Sequence, residues 1–285
     1  MKKSEIPRAV AACRAVAFEA GLRVDDAVSV HASNRITMRL LPSDVLARVA
    51  YEEERSVASA EFEVQLARRL AETGSPVGEL DPRVQPRVHL RDGFAITLWT
   101  YYDPLPSRVA PFEYAQALIR LHGGMRQVDI MTPHFTDRVA EAQSMLCDPA
   151  VTPELCDSDR ELLRQTLQTL TASITNNGSD EQVLHGEPHP ANLLHTQMGP
   201  LFVDLETCCR GPVEFDIAHA PEVVSDHYPG ANEDLLWQCR ILMLAMTTTW
   251  RWNRDDQLPN GRQLGQEWLG QMRSALDRHG LDVGR

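Results

Sequence analysis

Residues 183–208 read VLHGEPHPANLLHTQMGPLFVDLETC, and this stretch carries most of the chain's evident chemistry. Two short apolar runs, Asn192–Leu194 and Leu201–Val203, flank a turn at Met198–Pro200. This spacing predicts a β-hairpin that would hold polar groups on both sides of one small site. Six polar side chains in the stretch could carry chemistry: His185, Glu187, His189, Asn192, Asp204 and Glu206.

The residue types in this stretch suit phosphoryl transfer. Asn192 and Asp204 supply oxygen atoms, which a hard cation such as Mg²⁺ prefers as ligands alongside water and substrate phosphates. Phosphoryl transfer also needs a carboxylate that orients the attacking hydroxyl and accepts its proton. Glu187 offers such a carboxylate, on a loop that Pro188 and Pro190 stiffen.

Two other interpretations of these residues stay open. Any single histidine or aspartate here could form a turn or satisfy a hydrogen bond in the core instead of acting in catalysis. The mixture of imidazole and carboxylate groups also allows a metal hydrolase. Pro188 and Pro190 disfavour that reading, because they forbid the helix on which zinc proteases place their paired histidines.

The composition is that of a globular chain. Its 285 residues are 43% hydrophobic and 24% charged, which is enough for a packed core in one large domain or two modest ones. No apolar run is long enough to predict a membrane span, and no signal-peptide pattern is evident, so we expect a cytoplasmic location. None of the cysteines forms a CxxC pair, so zinc is not expected.

The net charge of −12 is unevenly placed. The first 102 residues hold equal numbers of acidic and basic side chains, and all the excess lies in the remainder. This argues against a nucleic-acid partner and suits metal ions or a cationic substrate, although acidic surface also aids solubility. Lys2 and Lys3 are the only lysines, and no P-loop or GxGxxG motif occurs. A phosphate-binding cation inside the fold must therefore be arginine or histidine.

Hydrophobic periodicity predicts two regions of different character. Residues 1–102 show a helix, three strands, a second helix and two more strands. A proline-containing linker follows Tyr102, and helical patterns dominate residues 103–285. The sequence thus predicts a small, mostly antiparallel-β lobe and a larger, mainly α-helical lobe, an α+β architecture.

Three runs resemble the aminoglycoside phosphotransferase family, which is related to choline kinases and protein kinases. They are HGEPHPAN at 185–192, FVDLET at 202–207 and GPVEFDIA at 211–218. The resemblance implies a two-lobed protein-kinase-like fold, with residues 1–102 binding the nucleotide and 103–285 carrying catalysis and acceptor binding. It also implies a role for each matched residue: Glu187 as catalytic base, Asn192 and Asp204 as metal ligands, and His185, His189 and Asp216 as supporting residues.

The resemblance extends into the first 102 residues. Arg48 occupies the position where the family carries a phosphate-binding lysine, and Glu63, or failing that Glu61, would pair with it. The stretch His31–Asn34 would cover the phosphates, with Ser33 and Asn34 as the polar contacts. Thr100 and Tyr102 would meet the nucleotide base through backbone groups, in a segment that could otherwise be ordinary aromatic core.

We therefore expect an Mg²⁺-dependent phosphotransferase that moves the γ-phosphate of ATP or GTP to a hydroxyl of a small molecule. An aminoglycoside-like cation is one candidate acceptor, which would imply antibiotic resistance, and the chain would act as a monomer or homodimer. Neither a nucleic-acid nor a membrane partner is expected. The alternative is a nucleotide-binding pseudokinase, because Glu187 replaces the family's aspartate, Arg48 replaces its lysine, and the phosphate loop lacks glycine.

Overall fold

The computed structural model describes residues 3–32 and 35–279. The chain forms two compact units: the first comprises Met1–Ile130 and Pro190–Thr207, and the second comprises Met131–His189 and Cys208–Arg285. The motif stretch is thereby divided, with Glu187 in the second unit and Asn192 and Asp204 in the first. The lobes expected at 1–102 and 103–285 are defined by nucleotide and acceptor binding, and that division stays a prediction.

The first unit begins with a sheet and two helices, whose elements are α1 (Ile6–Glu19), β1 (Val24–Ala32), β2 (Ile36–Pro42), β3 (Val45–Tyr51), α2 (Glu54–Glu72), β4 (His89–Arg91) and β5 (Phe94–Thr100). The strands form an antiparallel sheet in the order β1-β2-β3-β5-β4. Helix α1 packs on one face of this sheet through the buried Ala9, Ala12, Cys13 and Val16.

The alternation of side chains along β3 decides where Arg48 lies. Val45, Ala47 and Val49 are buried in the core with α1. Successive residues of a strand point to opposite faces, so Arg48 lies on the other face of the sheet. On α2, Glu63 belongs to an otherwise apolar buried face that includes Val64, Ala67 and Leu70. A buried acid among apolar residues requires a partner, because burial of an unpaired charge is costly.

The first unit also contains α3 (Pro111–Met125) and the hairpin β7 (Leu193–Thr196) and β8 (Gly199–Phe202). The apolar runs Asn192–Leu194 and Leu201–Val203 predict this hairpin, and the prediction is confirmed, with Leu193 opposite Phe202. Phe202 is fully buried and meets the ring of Tyr114 edge-on. Its backbone also bonds Pro76 and Gly78, which fixes the hairpin to the rest of the unit.

The second unit is mainly helical, with the elements α4 (Phe135–Cys147), α5 (Asp157–Thr175), β6 (Gln182–Leu184), β9 (Cys209–Gly211), α6 (Val213–His219), α7 (Glu222–Ser225), α8 (Glu233–Arg251) and α9 (Gly261–His279). The sequence predicts one helix over about 213–225, but the structure has two helices, α6 and α7, because Pro221 cannot continue the backbone hydrogen bonding of α6. Strand β9 is not predicted, since three residues are too few to show a periodic pattern.

Across the residues that the structure describes, no helix is both long enough and apolar enough to span a bilayer.

Candidate functional site

A cluster of charged side chains lies in the first unit around Arg48. The guanidinium of Arg48 pairs with Glu63, and its Nη2 donates to Oδ1 of Asp204 at 2.6 Å. The Arg48 side chain is 14% exposed and that of Glu63 only 1%, so this pairing compensates the burial of both charges. Glu61, the second candidate for this partnership, is exposed to solvent.

Arg35 is a second cation of this cluster. Its Nη1 donates to Oε2 of Glu63 at 3.3 Å, its Nη2 donates to Oγ of Ser59 at 3.0 Å, and it also pairs with Glu206. Sequence reasoning missed this residue, because an arginine at the first position of a strand pattern resembles an ordinary surface charge. Only its contacts with residues far along the chain reveal its position.

Asp204 adopts an unusual backbone conformation with φ of 68°. Residues other than glycine rarely occupy this left-handed region, and such conformations concentrate at functional sites. Neighbouring hydrogen bonds hold it: the Val203 amide donates to the Asn192 carbonyl at 2.9 Å, and the Leu205 amide donates to Oε1 of Glu63 at 3.1 Å. The hairpin therefore places Asn192 beside the strand end that carries Asp204, whose side chain is 34% exposed.

The electrostatics of the cluster follow from burial and pairing. Burial alone would lower the pKa of Arg48, but the carboxylates of Glu63 and Asp204 raise it above the ordinary arginine value. Burial, followed by the negative charge of Asp204, raises the pKa of Glu206 in spite of Arg35 and Arg48. Three carboxylates against two guanidinium groups leave a negative excess in this cluster.

In the second unit, Asp216 holds the loop that contains Glu187. The side chain of Asp216 is fully buried and accepts hydrogen bonds from the amides of His185 and Gly186, each at 2.8 Å. Gly186 has φ of 84°, which glycine adopts without a side-chain clash. Nδ1 of the buried His185 lies 3.4 Å from the amide nitrogen of Glu187, which donates to it. The buried side chains of Asp216 and His185 thus hold the backbone of this loop in place.

The carboxylate of Glu187 is paired with an arginine that the sequence did not single out. Nη2 of Arg138, on α4, donates to Oε1 of Glu187 at 2.5 Å. The two side chains are 18% and 21% exposed, so the pair is largely buried. Arg138 belongs to a helix predicted from its apolar spacing, and a lone basic residue on such a helix resembles a solvated charge.

Two histidines lie near this loop. His189 is partly buried, and its amide donates to the Glu187 carbonyl at 2.8 Å. His219 on α6 meets the ring of Phe215 edge-on at 5.3 Å. Burial lowers the pKa of His219 to about 3, so its imidazole is neutral at physiological pH.

Thr100 and Tyr102, which were predicted to contact the nucleotide base, both form hydrogen bonds with the backbone of Glu79. The Thr100 amide donates to the Glu79 carbonyl at 2.9 Å, so this donor already has an acceptor. The hydroxyl of Tyr102 accepts from the Glu79 amide at 3.4 Å, and burial raises the pKa of Tyr102. Ser33 and Asn34 lie outside the described residues.

The donor set of the first unit fits a magnesium ion. The hydrogen bond from the Val203 amide to the Asn192 carbonyl brings the backbones of Asn192 and Asp204 close, and both side chains carry oxygen ligands and are partly exposed. Magnesium is commonly held by one or two protein oxygens, with water and phosphate completing its shell. Among the described residues, no group of three or more His, Cys, Asp or Glu side chains has the arrangement of a metal site.

A model of the phosphotransferase enzyme family matches residues 27–235. Among solved structures, a choline/ethanolamine kinase family protein from Mesorhizobium loti is 15% identical, with a TM-score of 0.67 over 95% of this chain and 94% of the other. An amicoumacin kinase in complex with AMP-PNP and Ca²⁺ is 12% identical, with a TM-score of 0.69 over 96% of both chains.

The GDP complex of an aminoglycoside phosphotransferase is 11% identical, with a TM-score of 0.66 over 99% of this chain and 98% of the other. At such low identity these structures show the fold alone, and they confirm the predicted protein-kinase-like α+β fold class. A search of curated proteins gave no match.

Proposed function

The chain belongs to the phosphotransferase enzyme family, and from that premise we propose that it transfers the terminal phosphoryl group of ATP or GTP to a hydroxyl of a small molecule. The observation that carries this proposal is the position of Arg48, which pairs with both Glu63 and Asp204. It joins a candidate phosphate-binding cation to a candidate metal ligand within one cluster.

Arg48 would bind the nucleotide phosphates in this proposal. A guanidinium offers several N–H donors in a planar fork, which suits phosphate oxygens as well as carboxylates. Glu63 fixes the orientation of that fork, and Arg35 adds a second positive charge to the same cluster. Ser33 and Asn34 would contact phosphates, and the backbone of Thr100 and Tyr102 would contact the base.

Asn192 and Asp204 would hold magnesium. When bound, the ion neutralises negative charge on the β- and γ-phosphates. The left-handed backbone of Asp204 and its link through Val203 to Asn192 keep the two oxygen donors at one end of the hairpin. These residues would act by positioning the phosphates, which is the main protein contribution in phosphoryl transfer.

Glu187 would orient the acceptor hydroxyl and accept its proton. The hydroxyl oxygen attacks the γ-phosphorus while the bond from the γ-phosphorus to the β–γ bridging oxygen breaks, and ADP or GDP leaves. The released proton passes to the Glu187 carboxylate. Asp216 and His185 would keep the backbone of this loop in place, through the hydrogen bonds to the amides of residues 185–187.

A polyhydroxylated cation of the aminoglycoside kind is one candidate acceptor, which would give the chain a role in antibiotic resistance. The support is electrostatic: the net charge is −12, and all its excess lies after residue 102. Acidic residues around the short helix α7, namely Glu222, Asp226, Glu233 and Asp234, would line the acceptor site. Fold alone does not select an acceptor within this group of enzymes.

A second candidate function is nucleotide binding without transfer. Specific contacts favour it, because both proposed working carboxylates are paired with arginines: Asp204 with Arg48 and Glu187 with Arg138. In each pair a guanidinium group occupies one carboxylate oxygen that a metal ion or the acceptor hydroxyl would otherwise contact. The substitutions at positions 187 and 48 relative to the family pattern point the same way.

One experiment separates the two functions. Thermal unfolding is followed with ATP and with GTP, with and without Mg²⁺, and the same samples are then assayed for a phosphorylated product across hydroxylated amines and sugars. A kinase gives nucleotide-dependent stabilisation and a product. Stabilisation without any product favours the binding protein. If nucleotide causes no stabilisation and no product forms, both functions are rejected.

A further inference from the structure

Arg138 lies on α4 at a position that the helix itself does not favour. The helix begins at Phe135, so Arg138 is in its first turns, close to the positive end of the helix dipole. A cation is disfavoured there, and the acidic Asp137 next to it follows the usual preference. The partner that holds Arg138 in this place is the carboxylate of Glu187, 49 residues further along.

The contacts of Arg138 differ from those of a structural arginine in the same unit. Arg160 on α5 donates through both terminal nitrogens to the carbonyls of Leu146, Thr152 and Leu155 and to the Thr152 hydroxyl. Arg138 has one edge on Glu187 and its face over the ring of Trp250, with Cζ 5.1 Å from the ring centroid. Its Nη1 is buried, and no acceptor for it occurs among the described residues.

The length of the side chain at position 187 matters for this pair. An aspartate there would end one methylene earlier, a difference of about 1.5 Å. From the observed 2.5 Å, its oxygen would lie beyond hydrogen-bond distance of Arg138 unless the backbone moved. Glu187 and Arg138 therefore fit each other as a pair.

We infer that Arg138 is a positioning residue: it holds the Glu187 carboxylate in the orientation from which it meets the acceptor hydroxyl. The inference rests on the proposed phosphotransfer. It explains how a chain with glutamate at the catalytic position keeps a defined carboxylate location, since the guanidinium is itself fixed by Trp250. Arg138 acts through Glu187, not on the reacting atoms.

The first test measures the pair without reference to activity. A double-mutant cycle of unfolding free energies uses R138Q, E187Q and the double variant, in denaturant. The matched control cycle uses R164Q and E161Q, a pair at 2.6 Å on α5 whose side chains are 44% and 49% exposed. We expect a larger coupling for Arg138–Glu187 than for the control, and an equal or smaller coupling overturns the inference.

The second test asks whether the pair positions the carboxylate. Phosphate release from Mg-ATP and Mg-GTP, with water as the acceptor, is measured for the wild type, R138Q, R138K, E187D, the double variant R138Q/E187D and the control R164Q. We expect R138Q to lower kcat by about 100-fold with little change in nucleotide KM, and R138K to restore part of it. The double variant should be no worse than the poorer single variant, because both changes remove the same contact.

Three outcomes count against the inference. If R138Q has the same kcat as the control R164Q, then Glu187 does not need Arg138 to position its carboxylate. A raised nucleotide KM at unchanged kcat assigns Arg138 to binding instead. If the wild type shows neither phosphate release nor a phosphorylated product with hydroxylated amines and sugars, the proposed function and the positioning role fail together, whereas turnover in the wild type with an unaffected R138Q rejects the positioning role alone.

Discussion

Arg48 on β3 and Asp204 after β8 are joined by a hydrogen bond of 2.6 Å, although they lie 156 positions apart in the sequence. The same guanidinium holds Glu63 of α2. One arginine thus links the sheet, the helix and the hairpin of the first unit, and it does so through the groups proposed to bind phosphate and metal. Its removal should be visible in both stability and nucleotide binding.

Replacement of Arg48 by methionine should lower the free energy of unfolding by about 3 kcal/mol, because the buried Glu63 loses its closer cation and keeps only the longer ion pair with Arg35 and the hydrogen bond from the Leu205 amide. Urea unfolding measures this change. R48K should lose less, since it keeps the charge, but it should still weaken nucleotide binding because it lacks the planar fork.

R23M is the matched control for this prediction. Arg23 also pairs with an aspartate in the first unit, Asp25, but its side chain is 77% exposed. Exposed pairs contribute little to stability, because water and salt screen them, so R23M should unfold close to the wild type. A loss in R48M no greater than that in R23M would contradict the assigned role of Arg48.

Family resemblance predicted Glu63 as the partner of Arg48, with Glu61 as the second candidate. Two apolar runs around a turn predicted the hairpin. Arg35 and Arg138 carry no such signal, because an arginine on a surface pattern looks the same whether it is solvated or paired with a distant residue. Family resemblance identified Glu187 but could not reveal the arginine that contacts it.

The backbone conformation of Asp204 also could not be predicted from the sequence. Its φ of 68° follows from hydrogen bonds on either side of it, one to Asn192 and one to Glu63, which only the assembled unit provides. The break between α6 and α7 was foreseeable from Pro221, but the sequence prediction spanned it. A proline ends a helix even where the apolar spacing continues past it.

Asp216 provides a second prediction. Substitution D216N should lower the free energy of unfolding by about 1–3 kcal/mol, because asparagine keeps one acceptor oxygen and leaves one of the two buried amides unpaired. It should also lower kcat at an unchanged nucleotide KM, since the loop carrying Glu187 is displaced. Denaturation and steady-state kinetics measure the two effects.

The control is D148N in the same unit. Asp148 also accepts a backbone hydrogen bond, from Ala150 at 2.8 Å, but the turn is exposed and water can replace the lost contact. D148N should therefore match the wild type in both assays. Equal stability and equal kcat in D216N and D148N would show that Asp216 does not brace the loop.

A third prediction concerns pH and Glu206. Its pKa in the folded chain lies above the ordinary value of 4.5, so the folded protein binds more protons than the unfolded chain between the two values. The contribution of Glu206 to stability therefore falls as pH rises through that window, and it is most favourable below it. The variant E206Q should lack this part of the pH dependence of the unfolding free energy.

Unfolding free energies measured at several pH values from 4.5 upwards test this expectation. E61Q is the control, because Glu61 is exposed on the neighbouring helix α2. If E206Q and E61Q show the same pH dependence as the wild type, the raised pKa of Glu206 has no effect on folding and this part of the electrostatic account is wrong.

The most direct measurement of the central claim is phosphate release from ATP and GTP as a function of Mg²⁺, in the wild type, D204N, E187Q and the control D44N. Asp44 resembles Asp204 in having a left-handed φ, of 52°, and an arginine partner, Arg39, but it lies in an exposed turn. We predict that D44N behaves as the wild type, that D204N abolishes metal-dependent turnover, and that E187Q loses turnover while it still binds nucleotide. Full turnover in both D204N and E187Q would contradict the account.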